Sequence, residues 1–221
     1  MDWHDIVLWR KVQRDRCVAW RTAIAEVQRV AWGKQITVSL LALLKSPEKR
    51  VIGFCWPYRA EFDARFAIRR WCDEGAIAAL PEVVGKALPL RFRQWWPGAP
   101  MTRGVYGIPV PDGTPELQPD LLVVPMNAFD DCGYRLGYGG GYFDRTIAAL
   151  RPRVVTIGVS HEHCRVPTIY PQSHDIALDF VVTEAGVYAA GSGSRELLDA
   201  EIALAHLQQL VVGWGAPDGN Q

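Results

Sequence analysis

The chain lacks the features that mark several large classes of protein. No apolar run approaches the roughly 20 residues that a membrane-spanning helix needs. Lysine plus arginine and aspartate plus glutamate each number 24, so the formal net charge is zero. The electrostatic signature of a nucleic-acid or membrane-surface protein is therefore missing. No apolar signal-peptide core follows the charged start, so we expect a cytoplasmic protein with no nucleic-acid or membrane partner.

Paired cysteine motifs are also missing. The five cysteines are scattered, with no Cys-x-x-Cys spacing, and we interpret them as reduced thiols. The richest metal-like cluster is the run His161, Glu162, His163, Cys164. It lacks the helical His-Glu-x-x-His spacing and a clear fourth ligand, so we do not predict a zinc site there.

A glycine cluster between Arg135 and Arg145 is the most informative feature that the chain does have. It reads Arg-Leu-Gly-Tyr-Gly-Gly-Gly-Tyr-Phe-Asp-Arg, after an apolar run at 121–124 that predicts a buried strand and before helical spacing at 142–150. Glycine lets backbone N–H groups approach an anion, and a helix N-terminus carries partial positive charge. The pattern predicts a phosphate-binding loop, although it is neither a Walker A loop nor a convincing dinucleotide fingerprint.

Helices and strands alternate along the rest of the chain. The periodicities predict helices from Trp3 to about Trp32 and at 37–44, 63–73, 142–150 and 196–212. They predict strands at 51–56, 76–80, 88–94, 121–124, 154–159 and 180–183. This order indicates a three-layer α/β/α Rossmann-like domain with a mostly parallel sheet plus N-terminal and C-terminal helices. We expect one domain at 1–190, followed at 191–221 by a flexible linker, the last helix and a frayed tail.

The run from Asp120 to Arg145 closely resembles the signature of the 5-formyltetrahydrofolate cyclo-ligases, also called methenyltetrahydrofolate synthetases. Residues 104–108 and 174–183 resemble two further family segments, and weaker similarity covers most of 51–184. The resemblance implies the same three-layer architecture. It also implies ATP- and Mg²⁺-dependent cyclisation of 5-formyltetrahydrofolate to 5,10-methenyltetrahydrofolate through a phosphorylated formyl intermediate, with release of ADP and phosphate.

The resemblance implies roles for particular residues. Asp144 and Asp175 match the family's magnesium ligands, and carboxylates are the hard oxygen donors that this ion prefers. Arg10 and Arg14, four residues apart with Lys11 adjacent, match an N-terminal cation pair that contacts ATP. The first of these positions is usually lysine in the family, and the two side chains bind phosphate with different geometry.

The glycine loop and one distant glutamate complete the expected site. Catalytic roles are expected for Arg135, Tyr142 and Arg145. The ATP contacts are expected to be Arg10, Lys11, Arg14, Arg135, Leu136, Gly137, Tyr138, Gly139, Gly140, Gly141, Tyr142 and Phe143. The folate contacts are expected to be Glu61, Tyr138, Gly139, Gly140, Gly141 and Tyr142, with Glu61 accepting hydrogen bonds from the pterin.

Two other classes of function remain open from the residues alone. A related α/β enzyme can use the same loop for a sugar phosphate or for another acyl activation. A non-catalytic folate- or nucleotide-binding regulator can retain the pocket and use the C-terminal helix as a partner surface. The retained Asp144, Asp175 and Arg135 favour an enzyme, because a passive binder has less use for them. The sequence does not distinguish a monomer from a homodimer.

Overall fold

The computed structural model describes residues 2–190 and 196–211, which form five α-helices and twelve strands. The α-helices within these residues are α1 Trp3–Ala23, α2 Glu26–Leu43, α3 Arg65–Asp73, α4 Tyr142–Ala149 and α5 Ala200–Val211. The strands are β1 Val51–Gly53, β2 Ile77–Glu82, β3 Arg91–Trp95, β4 Met101–Arg103, β5 Pro109–Pro111, β6 Glu116–Leu117, β7 Leu121–Pro125, β8 Ala128–Phe129, β9 Arg135–Leu136, β10 Val155–Val159, β11 Phe180–Thr183 and β12 Gly186–Ala189. None of the described helices is both long enough and apolar enough to cross a bilayer.

Eight of these strands form one sheet in the order β12-β11-β10-β7-β1-β2-β3-β6. The five strands from β11 to β2 run parallel, whereas β12, β3 and β6 pair antiparallel at the two edges. Strands β4 and β5 form a separate hairpin, and so do β8 and β9. The predicted mostly parallel sheet is therefore confirmed, and the strand predicted at 88–94 pairs antiparallel as β3.

Helices cover both faces of the sheet. On one face, α2, α3 and α5 contribute Leu40, Trp71 and Leu207 to the largest apolar cluster. On the other face, Phe143 and Ile147 of α4 pack against the second cluster. Every residue of β10 and β11 is buried, because parallel strands inside a three-layer domain have no face left for water. This double burial is why the central strands are mostly apolar, with Thr156 and Thr183 as the polar residues of β10 and β11.

The N-terminal helices differ from the prediction. The chain leaves helical geometry at Ile24 (φ −64°, ψ 131°), so one predicted helix becomes two. Helix α2 then runs without a break through the predicted gap to Leu43. The break gives the two helices different partners: Cys17 of α1 is buried beside β8 and β9, whereas Ile36 of α2 is buried in the main core. Tertiary packing decides this break, and no proline or glycine marks it in the sequence.

Other helix and strand boundaries also differ from the predicted ones. Strand β1 ends at Gly53 instead of residue 56, because the chain leaves the sheet there and Trp56 lines a cavity. The proline- and glycine-rich stretch 97–119 contains β4, β5 and β6, which were not predicted. The last helix begins at Ala200, and its Ala203 and Leu207 are buried in the main core. The predicted linker and tail lie outside the described residues.

Candidate active site

A cavity of about 480 Å³ opens at the carboxyl ends of β1, β2 and β7. Ligands commonly bind at this edge of an open parallel sheet, where the strands end and the loops begin. One side of the cavity is apolar and is formed by residues such as Trp56, Leu80, Val105, Ile108 and Val110. The ionisable lining residues are Arg10, Arg14, Arg59, Glu61, Arg135, Asp144, His174 and Asp175. The cavity thus combines an apolar wall with a dense set of opposite charges.

The glycine loop forms one rim of this cavity, and it leads directly into α4. Gly139 has φ +95° and Gly141 has φ +64°, which is backbone that side chains with a Cβ rarely adopt. Gly137 and Gly140 also line the cavity, together with Tyr142 and Phe143 in the first turn of α4. The loop therefore places several backbone groups and a helix N-terminus beside one space.

Asp144 is held at the cavity by a buried arginine. The Arg135 side chain is 4% exposed, and its Nη2 donates to Asp144 Oδ1 at 3.0 Å. Its Nη1 donates to the Ile176 carbonyl at 2.7 Å, and the Ile176 N–H donates back to Asp144 Oδ1 at 3.1 Å. Burial lowers the pKa of Arg135, and Asp144 partly offsets that effect. Asp144 Oδ2 accepts no hydrogen bond within the described chain, which leaves it open to a ligand.

Asp175 is anchored in the same way by Arg10. Arg10 Nη2 donates to Asp175 Oδ2 at 2.5 Å, and Nη1 lies 3.5 Å from Oδ1. The remaining donors of Arg10 bind the carbonyls of Ile169 at 3.0 Å and Tyr170 at 2.9 Å. Burial raises the pKa of Asp175, but the Arg10 guanidinium more than offsets this and the net pKa is lowered. Arg10 is thus committed to protein groups, and a direct contact between Arg10 and ATP remains a prediction.

Arg14 lies over the glycine loop. Its Nε donates to the Gly137 carbonyl at 2.8 Å, and its guanidinium carbon is 3.7 Å from where a Cβ on Gly139 would be. Burial lowers the pKa of Arg14, but an arginine stays protonated at neutral pH. Arg14 has no ion pair within the described residues, so it is a cation available to a ligand.

Three of the expected site residues do not line the cavity. Lys11 has a side chain that is 72% exposed and pairs with Asp15 at 3.4 Å. Leu136 is 1% exposed and packs in the apolar cluster under α1. Arg145 donates to the Gly140 carbonyl at 2.7 Å and lies 5.1 Å from the Tyr142 ring centroid, so it supports the loop from outside.

Glu61 is a buried carboxylate in the cavity lining, beside Tyr138 of the glycine loop. Its side chain is 5% exposed and accepts from the Tyr58 N–H at 3.0 Å and from the Tyr138 hydroxyl at 3.1 Å. Burial raises the pKa of Glu61, although Arg21 at 3.5 Å opposes that effect. Helix α3 begins only at Arg65, so Glu61 is not an ordinary acid in the first turn of a helix.

Sequence reasoning missed Arg21, which organises this part of the cavity lining. Its side chain is 3% exposed and donates to the Arg59 carbonyl at 2.8 Å, to Asn127 Oδ1 at 2.8 Å and to the Tyr138 hydroxyl at 2.5 Å. The spacing from Arg14 to Arg21 is seven residues, which keeps both on one helical face. The seven-residue spacing is a signal for Arg21 in the sequence, but α1 contains so many arginines that the spacing alone does not single this residue out.

Other aromatic and histidine side chains near the site divide between the cavity and the core. Trp56 lines the cavity, whereas Phe54 is fully buried in the main cluster. The neighbouring Tyr106 raises the pKa of Tyr142, and both residues line the cavity. In the cysteine- and histidine-rich segment, His163 stacks on a tryptophan ring at 4.1 Å. The described residues contain no group of three or more histidine, cysteine or acidic side chains arranged to hold a metal.

Comparison with known proteins identifies the family. The sequence model of the 5-formyltetrahydrofolate cyclo-ligase family matches residues 7–184. The chain belongs to this family. It is 35% identical over 175 residues to the 5-formyltetrahydrofolate cyclo-ligase of Escherichia coli, a match that covers 76% of this chain and 96% of the relative. The corresponding Haemophilus influenzae cyclo-ligase is 30% identical over 165 residues, covering 72% of this chain and 88% of the relative. Membership of the family makes the chain an enzyme of the ligase class.

Solved structures support the cyclo-ligase fold. The 5,10-methenyltetrahydrofolate synthetase of Aquifex aeolicus superposes with a TM-score of 0.72 at 24% identity, covering 86% of this chain and 96% of that one. The Mycoplasma pneumoniae synthetase superposes with a TM-score of 0.66 at 19% identity, covering 79% and 98%. At these identities the superpositions establish the shared α/β architecture.

Proposed function

We propose that the chain catalyses the cyclisation of 5-formyltetrahydrofolate to 5,10-methenyltetrahydrofolate, with hydrolysis of ATP to ADP and phosphate and with Mg²⁺ as cofactor. The observation that carries the proposal is that Glu61, the glycine loop, Asp144 and Asp175 line the same cavity. These residues span more than half of the chain, and a phosphate-binding loop alone would not require the other three. Family membership supports the same reaction.

ATP is proposed to bind at the glycine-loop end of the cavity. The loop glycines allow close approach of phosphate to backbone N–H groups, and Arg14 supplies a cation with no protein counter-ion among the described residues. Arg145 holds the Gly140 carbonyl and thereby shapes the loop. Arg135 lies behind the loop and keeps its charge beside Asp144. We propose Arg14 and the loop as ATP contacts, with Arg135 and Arg145 positioning them.

The carboxylates of Asp144 and Asp175 fit a magnesium site. Both line the cavity, and each is anchored by an arginine. Oδ2 of Asp144 accepts no hydrogen bond from the described residues, and Oδ1 of Asp175 accepts only a weak one, from Arg10 Nη1 at 3.5 Å. Mg²⁺ needs few protein ligands, since it is commonly held by one or two carboxylates plus substrate phosphates and water. When bound, the ion would neutralise charge on the phosphates during transfer.

Reduced folate is proposed to lie between the apolar wall and Glu61. The formyl oxygen attacks the γ-phosphorus while the bond to ADP breaks, and this converts a poor leaving oxygen into a phosphate. The neighbouring N10 then attacks the formyl carbon, loses its proton, and phosphate leaves. The protein is proposed to contribute chiefly by positioning the formyl oxygen and excluding water, because apolar residues and the glycine loop line the same cavity. Tyr138 and Tyr142 are proposed to lie at the junction of the two substrates.

A direct assay tests the proposal. Purified chain is mixed with ATP, Mg²⁺ and 5-formyltetrahydrofolate, and the absorbance of methenyltetrahydrofolate is followed against controls without enzyme and without ATP. The expected result is an ATP-dependent rise in absorbance. Binding of folate without any turnover would favour a regulator, and ATP hydrolysis driven by another acyl or phosphorylated substrate would favour a related enzyme. Either result with folded protein would refute the proposed reaction.

A further inference from the structure

Asn127 carries an unpartnered hydrogen-bond donor in the wall of the cavity. The residue follows β7 directly, lines the cavity and is 1% exposed. Its Oδ1 accepts from Arg21 Nη1 at 2.8 Å, whereas its Nδ2 is buried and has no hydrogen-bond partner in the described structure. A guanidinium has donors only, so the carbonyl side of the amide must face Arg21. The amide orientation is therefore determined, and the free donor is Nδ2.

This donor belongs to the same network as the buried carboxylate of Glu61. Arg21 also donates to the Tyr138 hydroxyl at 2.5 Å, and that hydroxyl donates to Glu61 Oε1 at 3.1 Å. Arg21 therefore orients an amide donor and a carboxylate acceptor together. Native proteins leave few buried N–H groups unpaired, because the lost hydrogen bond to water is not replaced. A buried donor beside a cavity is accordingly a place where a ligand oxygen completes the pairing.

The hydrogen-bonding edge of a pterin has a matching sequence of groups. Its 2-amino group and N3–H are donors, and the adjacent C4 carbonyl is an acceptor. A carboxylate complements the two donors, and an amide N–H complements the carbonyl. Without ligand, Nδ2 is buried and inaccessible to water. A pterin carbonyl that reaches it after a small shift of the cavity wall therefore forms this hydrogen bond without first having to displace a water molecule from the donor.

We propose that Asn127 is a specificity-determining residue whose Nδ2 donates to the C4 carbonyl of the pterin while Glu61 accepts from the ring donors. The inference rests on the proposed function, because it takes a reduced folate as the ligand. It predicts discrimination between a pterin with oxygen at C4 and one with an amino group there. Such discrimination can be large, because a mismatched polar group leaves buried partners unpaired.

The informative variant is Asn127→Asp. It keeps the shape and the acceptor that Arg21 needs, and it replaces the donor by an acceptor. If Asn127 served only to hold Arg21, a carboxylate would serve at least as well. Affinities for 5-formyltetrahydrofolate and for its 4-amino-4-deoxy analogue are measured by titration calorimetry without ATP. Gln118→Glu is the control, since it makes the same amide-to-carboxylate change at an exposed position outside the cavity lining.

We expect the wild type to bind 5-formyltetrahydrofolate at least about tenfold more tightly than the analogue, because the analogue loses the carbonyl that accepts from Nδ2 and the N3–H that donates to Glu61, and one hydrogen bond of about 1.4 kcal/mol is a factor of ten. Asn127→Asp is expected to lower that preference at least about tenfold, and Gln118→Glu to leave it unchanged. A wild type that binds 5-formyltetrahydrofolate, with an unaltered preference in folded Asn127→Asp protein, would overturn the inference and leave the proposed function standing. A wild type that binds neither ligand would overturn both. If the variant does not fold, equal wild-type affinity for the two ligands overturns the inference by itself.

Discussion

Replacing Asp144 by asparagine removes one negative charge while keeping the shape of the side chain. Oδ1 accepts both protein hydrogen bonds of this carboxylate, from Arg135 Nη2 at 3.0 Å and from the Ile176 N–H at 3.1 Å. An asparagine oxygen in the same place can accept both. The structure therefore predicts that Asp144→Asn leaves the fold intact and removes an oxygen charge from the proposed metal site.

The change is expected to have a small effect on stability and a large effect on turnover. The Arg135 side chain is 4% exposed and loses its counter-ion, but the hydrogen bond survives in neutral form. A charge-assisted bond is worth about twice a neutral one, so the loss in unfolding free energy is about 1–2 kcal/mol. For a domain of this size that lowers Tm by about 2–8 °C. Removing a metal ligand is expected to lower kcat by at least about 100-fold, because even supporting residues of metal sites are worth about 10–100-fold.

The assay follows methenyltetrahydrofolate absorbance, and thermal unfolding gives Tm. The matched control is Asp131→Asn. Asp131 is 18% exposed and pairs at 2.5 Å with Arg165, whose side chain is 8% exposed, but neither residue lines the large cavity. Arg165 keeps its ion pair with Glu162 at 2.5 Å in this control, so Asp131→Asn is expected to lose no more stability than Asp144→Asn and to keep its turnover. A magnesium titration of ATP-bound protein, which does not depend on turnover, is expected to show weakened Mg²⁺ binding for Asp144→Asn only.

Two results would refute this reasoning. Turnover of Asp144→Asn within about threefold of wild type would remove Asp144 from the metal site. Equal loss of activity in Asp131→Asn would show that reduced stability, and not a missing ligand, explains the effect.

Four further changes test other parts of the site. Arg14→Gln is expected to raise KM for ATP about tenfold and leave folate affinity unchanged, as initial rates would show. Arg10→Lys is expected to lower the unfolding free energy by about 1–3 kcal/mol in urea titrations, because lysine cannot bind a carboxylate and two carbonyls in one fork. Gly139→Ala is expected to cost about 1–2 kcal/mol of stability at φ +95° and to weaken ATP binding in calorimetry. Burial raises the pKa of Glu61, so its contribution to stability is present below the unfolded pKa of about 4.3 and is lost as pH rises through the higher folded pKa. Wild type should thus lose stability relative to Glu61→Gln between pH 4 and pH 8 in urea titrations, and a constant difference would contradict the shift.

The parts of the site that the sequence predicted are those encoded locally. The glycine cluster, the helix after it and Asp144 are contiguous, and positive φ at Gly139 and Gly141 is what a glycine-rich turn into a helix requires. Asp175 and Glu61 were placed by resemblance to a family, and nothing in their immediate neighbours pointed to a shared cavity. Their joint lining of one space is a consequence of parallel strands that end at the same edge.

By itself, the sequence determined the layered architecture, because a strand covered on both faces is mostly apolar, and residues 121–124, 154–159 and 180–183 contain only Thr156 and Thr183 as polar residues. The sequence also predicted a phosphate-binding loop, because a backbone that closely approaches an anion needs glycine, and a glycine cluster can be recognised in the sequence. Only the tertiary structure decided which side chains meet. Arg10 reaches Asp175 across 165 residues and Arg21 reaches Asn127 across 106, and both arginines belong to one charged helix whose pattern indicates solvent. Packing of that helix against the β8–β9 hairpin turned two of its arginines inward, and the unpaired Nδ2 of Asn127 is apparent only when its neighbours are in place.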